Sequence, residues 1–282
     1  MMSNMKNMIY IRRRWTNIFM LALSYMTVLT GLFWLAWILW TLISRGYDSL
    51  SLSLFTQVTP APGEAGGLLN AILGSLLMSL VATLIGTPIG ILAGTYLSEY
   101  SKGSKLGACI RFMNDVLLSS PSIVIGLFIY IVYVTTVGHY SGWAGAFALA
   151  IIVIPVVVRT TDNMLALIPN HLREAAYALG CPKWRLIVRI CYRSVKAGIL
   201  TGVLLAIARI MGETAPLLFT ALSNQFMSLD MNAPMASLPV VIYSYAASPF
   251  DDWNKLAWAG AVLIALFVLL LNIIARVFFK GK

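Results

Sequence analysis

Arg209 and Glu213 stand four residues apart in an apolar run that also holds Thr214 and Pro216. On a continuous helix that spacing puts the guanidinium and the carboxylate on one face, where they can pair. Arg209 falls near the middle of the apolar run 198–222. An unpaired arginine there costs on the order of 3 kcal/mol on insertion scales, so it must face a partner or a watery cavity. Two chemistries meet that requirement. As a structural ion pair, the two residues lock a helix bundle. As an anion site, Arg209 offers its planar fork of donors to an oxyanion, and Glu213 partly neutralises it so that the anion passes without being trapped. Pro216 cannot donate a backbone hydrogen bond and crowds the carbonyl of Gly212, so a kink is expected beside Glu213. Residue types and spacing define an oxyanion-compatible site at mid-membrane and leave the choice open.

A second, polar constellation lies between two apolar segments. Arg173, Glu174, Ala175, Ala176, Tyr177, Ala178 and Leu179 lead to Gly180, then Cys181 and Pro182. Alanines beside one acid read as a short helix with Asn170 as N-cap. Gly180 supplies a C-cap that needs positive φ, and Pro182 suits the first turn of a second helix, so two short helices meet at a sharp bend. The small Ala175, Ala176 and Ala178 let another surface approach the backbone beside Glu174. In the second helix Arg185, Arg189, Arg193 and Lys196 recur every three or four positions, with Trp184, Ile187, Val188, Cys191 and Val195 on the other side. That pattern suits a helix lying along an anionic membrane surface. An ordinary membrane-surface loop has the same composition.

Other chemistries find no support. There is no Gly-x-x-x-x-Gly-Lys-Ser/Thr phosphate loop, so ATP hydrolysis by this chain is not expected. No zinc spacing or nucleophile–base set is present, and two histidines leave little general-base chemistry. His139, without ionisable neighbours, reads as a surface residue, and Cys109, Cys181 and Cys191 read as reduced structural thiols. The expectation is a non-catalytic chain that binds no metal and no cofactor of its own.

The elements that carry these residues follow from hydropathy. Of 282 residues 60% are apolar and 11% charged, which places the chain among membrane proteins. Spans need about 20 apolar residues each. The gaps between charges give 17–43, 68–97, 116–137, 143–158, 198–222 and 256–275, the fourth extensible through Arg159 toward Ala166. The expected fold is therefore all-α, a multi-pass bundle of six transmembrane spans. Residues 1–16 form a basic cytoplasmic tail, 17–43 an uncleaved anchor and 68–279 a core with a cytoplasmic loop at 169–196. Of the 20 Lys and Arg, all but Arg45, Lys255 and Arg209 then lie on one side. This positive-inside bias puts both termini in the cytoplasm, and the net charge of +10 is topological rather than a nucleic-acid patch. Gly74, Gly86, Gly90 and Gly94 allow close packing of the second span, and Pro88 should kink it. The loop 223–255, with its apolar stretch 238–247 and the acidic pair Asp251 and Asp252, reads as an external interfacial segment. It either touches a delivery protein or anchors at the interface. Arg276 and Lys280 anchor the last span inside.

Residue order narrows these alternatives. Glu174, Ala175 and Ala176, with Gly180 and Ile190 at their spacing, resemble the EAA signature of ATP-binding-cassette importer permeases. After Ile190, Cys191, Tyr192 and Arg193 stand where that signature ends in x-Leu-Pro. Pro121, Ser122, Ile123, Val124, Gly126, Leu127 and Phe128, and the pattern running from Leu69 to Tyr100, look like phosphate-importer permeases. The segment 206–221, with Arg209, Gly212, Glu213, Thr214 and Pro216, most closely resembles the PstA-type permeases, and the likeness runs from about residue 69 to the end. The resemblance implies a type I importer permease (MetI-like) fold and inorganic phosphate as substrate. It places Arg209, Glu213, Thr214 and Pro216 along the substrate pathway. It makes Arg173, Glu174, Ala175, Ala176 and Gly180 the coupling helix seated in a groove of an ATPase. The implied partners are a homologous PstC-like permease, a pair of PstB-like cytoplasmic ATPase subunits that use the ATP, and a PstS-like extracytoplasmic phosphate-binding protein. Two alternatives remain on the residues alone: a permease for another small oxyanion, and a secondary anion carrier with Arg209 and Glu213 as its relay. The inverted repeats frequent in such carriers are not found. A non-transporting scaffold has little reason to carry a charged pair within the bilayer.

Overall fold

The computed structural model describes residues 2–101 and 103–278 and divides into two units, residues 1–48 and 49–282. The first unit is dominated by one helix, α1 (Met2–Gly46), of 45 residues. At 1.5 Å per residue it is about 68 Å long, roughly twice the hydrocarbon thickness of a bilayer. The basic tail and the anchor, expected as separate pieces, are thus a single helix, since no glycine or proline precedes Gly31. The hydroxyls of Ser24, Thr27, Thr30 and Thr41 each donate to the carbonyl four residues earlier, which satisfies them without water.

In the second unit a strap, residues 50–67, leads into α2 (Leu69–Thr95), which ends in a wide π turn, Tyr96–Tyr100. Then come α3 (Lys105–Ser119), α4 (Ser122–Ile129, prolonged to Val137), α5 (Gly142–Ala166) and the short α6 (Asn170–Ala178). After a turn, α7 (Lys183–Arg185), a second wide turn Leu186–Cys191 and α8 (Tyr192–Ile210) run on as one rod. A single-turn α9 (Ala215–Leu218), α10 (Leu238–Ala246) and α11 (Asp251–Phe278) complete the unit. Among the described residues there is no strand, so the all-α class holds. Among the described residues five helices, α1 included, are long and apolar enough to cross a membrane, or six if the bent pair α3–α4 counts as one span.

The centre of the unit is α2 packed on α5. Gly86, Gly90 and Gly94 meet Val153, Val157 and Thr161 in register, a four-residue spacing on both helices. A Cβ at Gly90 would stand 2.6 Å from the Val157 Cβ, so only glycine permits this approach. Lipid gives no hydrophobic drive for helix pairing, and close backbone contact supplies it instead. Gly90→Leu is therefore expected to cost about 3 kcal/mol or more. Thermal unfolding of the detergent-solubilised variant checks this, and an unchanged midpoint would mean that the helices part freely. Met78, Leu149, Ile210, Leu217 and Val240 close the surrounding core. Above it, the Asn70 amide donates to Thr59 Oγ1 and to the Asn224 carbonyl, both at 2.9 Å, which ties the strap and the loop after α9 to the start of α2.

Several expectations are corrected. The third span, 116–137, is not straight: α3 and α4 bend by 103° at Ser120 and Pro121. Proline disfavours helical geometry at the residue before it, and Ser120 is extended with ψ 135°. The fourth span does extend to Ala166. The fifth stops at Ile210 rather than running to Leu222. Pro88 lies inside α2. The stretch 238–247 is not an interfacial segment, because Leu238, Val240, Val241 and Tyr245 of α10 are buried against the core. Asp251 and Asp252 open α11, where the positive end of the helix dipole favours them. Extended Pro169 takes the cap position of α6, so Asn170 is its first helical residue. The anchoring assigned to Arg276 and Lys280 falls on a side chain and a residue outside those described.

Candidate functional site: a helix break and a cytoplasmic elbow

Arg209 is the penultimate residue of α8, and Glu213 lies beyond the helix end. The two do not share a continuous helical face as the spacing suggested, yet the turn that ends α8 brings them together. Met211, Gly212 and Glu213 donate backbone hydrogen bonds to Ile207, Arg209 and Ile210, winding the last turn tighter. The Thr214 carbonyl then accepts from Leu217 and Leu218 and starts α9, with Pro216 in its first turn. Proline at a helix start loses no hydrogen bond, so Pro216 begins a new helix instead of kinking the old one. Pro216 also fixes the break in place: a Cβ on Gly126 of α4 would lie 2.6 Å from the Pro216 Cα.

Across this break Arg209 Nε and Glu213 Oε1 are 3.6 Å apart, with side-chain exposures of 42% and 17%. That distance attracts without forming a hydrogen bond. Among the described residues the Arg209 fork therefore holds its N–H donors unspent beside a carboxylate that offsets its charge. Such a group can take an oxyanion bidentately and release it. Thr214 is half-buried next to Glu213, and Pro216 is buried.

The elbow is built around a residue that no motif or spacing in the sequence singles out. Glu99, in the wide turn that ends α2, pairs with Arg173 of α6: Nη2 to Oε1 at 2.6 Å and Nε to Oε2 at 3.3 Å. Both are buried. Arg173 also donates to the carbonyls of Leu165 and Ile168. The hydrogen bond to Glu99 holds Arg173 above the ordinary arginine value, against the opposing effect of burial. From the far side of the turn, Lys183 Nζ donates to the Glu99 carbonyl at 2.7 Å and lies 4.0 Å over the Tyr100 ring. A lone acid closing an apolar span in so basic a chain was the available signal, since such a carboxylate needs a partner. Ala176 is buried with Arg173, whereas Glu174, Ala175 and Gly180 are exposed. Gly180 has φ +74°, as its C-cap role requires. Its N–H bonds Tyr177, and that of Cys181 bonds Ala176, a Schellman closure. The second elbow helix does not lie along a surface, because it is the base of the α8 rod. Its Leu186, Ile187 and Cys191 are buried, while Trp184 and Val188 are exposed.

A second long-range pair is equally silent in the sequence. Arg111 of α3 bonds Asp162 of α5 at 2.9 Å and the Leu97 carbonyl at 2.8 Å, pinning α3 beside the elbow. Among the described residues no group of three or more His, Cys, Asp or Glu gathers as metal ligands do.

Comparison with known proteins places this architecture. A family profile described as "Binding-protein-dependent transport system inner membrane component" matches residues 86–281. The "Phosphate transport system permease protein PstA" of Pasteurella multocida (strain Pm70) is 71% identical over 270 residues, covering 96% of each chain. That of Haemophilus influenzae is 65% identical over the full length of both. "PstA 1" of Mycobacterium tuberculosis is 37% identical, covering 89% of this chain and 84% of its own. Among solved structures, the inward-facing MetNI methionine ABC transporter superposes with TM-score 0.63 at 19% identity, covering 74% of this chain and 93% of that one. A bacterial alginate ABC transporter gives 0.62 at 16%, covering 94% and 96%. At that identity the two structures establish the fold alone. These matches assign the chain to the binding-protein-dependent transport system inner membrane components, within which it belongs to the PstA-type permeases.

Proposed function

We propose that this chain is the transmembrane permease subunit of an ATP-driven importer of inorganic phosphate. It forms the translocation path with a homologous PstC-like permease. It receives phosphate from a PstS-like extracytoplasmic binding protein and is driven by a pair of PstB-like cytoplasmic ATPase subunits. Both termini are cytoplasmic, ATP is consumed by the partner, and this chain binds no cofactor. The relatives' printed names and identities support the substrate. The observation that carries the mechanism is the 3.6 Å gap between Arg209 and Glu213 at the end of α8, which leaves guanidinium donors open at a helix break. Phosphate takes those donors, with Thr214 and Pro216 shaping the passage. Glu213 draws Arg209 back as the anion leaves.

Coupling enters at α6. The exposed Glu174 and Ala175 face the ATPase, while Arg173 and Ala176 face inward and bind the helix to the membrane body. Reconstitution in vesicles tests the whole assignment. Phosphate uptake is expected only with ATP, the ATPase and the second permease present. Uptake by this chain alone under an ion gradient would make it a secondary carrier, and preference for another oxyanion would change the substrate. Glu174→Arg reverses the charge on the exposed face and is expected to lower ATPase co-purification roughly tenfold, about 1.4 kcal/mol. Unchanged recovery of the ATPase would remove Glu174 from the contact.

A further inference from the structure

Three cations at the base of the α8 rod take no part in this mechanism. Arg189, Arg193 and Lys196 line one open notch of about 530 Å³ together with Val188 and Tyr192. Among the described residues none of the three forms an ion pair. Like charges at helical spacing repel each other, and an anion among them removes that cost. Arg185 is not part of the group, since its guanidinium lies over the Trp184 ring, 5.1 Å from the centroid.

The notch adjoins an apolar cleft of about 350 Å³ between α2 and the rod, walled by Leu92, Tyr96, Trp184 and Ile187. Val188 and Tyr192 line both spaces, so they form one surface with a charged end and an apolar end. Tyr192 is held there by a 2.8 Å hydrogen bond between its hydroxyl and that of Thr95. The depth of this surface is set by sequence: beyond Lys196 the rod carries no charge until Arg209. The cations therefore sit where the apolar part of the span begins, at headgroup level.

We propose that this surface binds an anionic phospholipid. Arg189, Arg193 and Lys196 hold its phosphodiester, and an acyl chain lies in the cleft beside Val188 and Tyr192. A zwitterionic lipid brings its own ammonium group and gains less from three cations. Free phosphate or an acidic protein segment would satisfy the charges and leave the apolar cleft unfilled. The site lies about 20 Å along the rod from Arg209. It rests on the chain's membrane placement and not on what the chain carries.

The test uses the full chain, purified from native membranes with the subunits that accompany it. The protein is exchanged into nanodiscs of phosphatidylcholine containing phosphatidylglycerol or phosphatidylethanolamine, and retained lipid is read by native mass spectrometry. Phosphatidylglycerol is expected to be retained in preference. The combined Arg189→Gln, Arg193→Gln and Lys196→Gln variant cuts that retention about a hundredfold, at roughly a factor of five per basic residue near a membrane surface. Val188→Trp, at an exposed position, fills the shared wall and lowers retention with every cation in place, so a folding defect in the triple variant does not decide the matter. Undiminished retention in the triple variant, equal retention of the two lipids, or displacement of the lipid by inorganic phosphate overturns the assignment. Transport is not the readout, so failure of the phosphate mechanism and failure of this site are separately visible.

Discussion

Vesicles carrying the Arg209→Ala chain are expected to take up radiolabelled phosphate at a rate lower by roughly two to four orders of magnitude, with the protein still folded and assembled. The magnitude follows from the donors lost. Hydrogen bonds to charged groups contribute about 1.5–3 kcal/mol each, and a guanidinium fork makes two of them to one oxyanion. Stability should change little, because the ion pair with Glu213 is long, at 3.6 Å, and the Arg209 side chain is 42% exposed. Pairs of that kind contribute about 0–1 kcal/mol. Arg209→Lys keeps the charge and loses the fork, so its uptake should fall between the two. Normal uptake by the alanine variant would reduce Arg209 to a bundle-locking residue. Loss of the folded protein would point to the same structural role.

Glu99→Ala has the largest expected effect on stability. It strands the Arg173 guanidinium in a buried site, and removing one partner of a buried pair costs about 3–5 kcal/mol. The expected outcome is a lower unfolding midpoint in detergent and loss of ATP-driven uptake. A separate variant isolates the mechanical role. Glu99→Met combined with Arg173→Met removes both charges and fills the same volume, a change that is often neutral or stabilising for buried pairs. That protein should recover its midpoint while ATP hydrolysis by the assembled complex proceeds without phosphate uptake. Full recovery of uptake in the double variant would show that the pair serves folding alone.

The local geometry of both regions was readable in the chain because it depends on residues close together in sequence. Gly180 announces a left-handed cap, and the Arg209–Glu213 spacing announces a pair. Less readable were features set by contacts between distant segments. Glu99 and Arg173 are 74 residues apart, and nothing within either segment names the other. The end of α8 is hidden because residues 210–222, Glu213 apart, stay largely apolar after the helix stops, and hydropathy measures burial rather than hydrogen bonding. The burial of α10 is hidden for a related reason: an apolar stretch suits a membrane interface and a protein core equally. The bend at Pro121 shows the opposite case, in which a local rule pointed to the break and averaging over a span length concealed it.

Glu99 is gripped from two directions, its carboxylate by Arg173 before the Gly180 turn and its carbonyl by Lys183 after it. A hairpin held at both ends by one residue cannot slide along itself without dragging that residue. A push on the exposed face at Glu174 would therefore be passed to α2 through that residue. The glycine keying of α2 into α5 carries the second helix along with it. Rigid members that travel together concentrate deformation in the joints between them. Two such joints are the non-helical links at Ser120–Pro121 and at 211–214, and the second of them carries Glu213 itself.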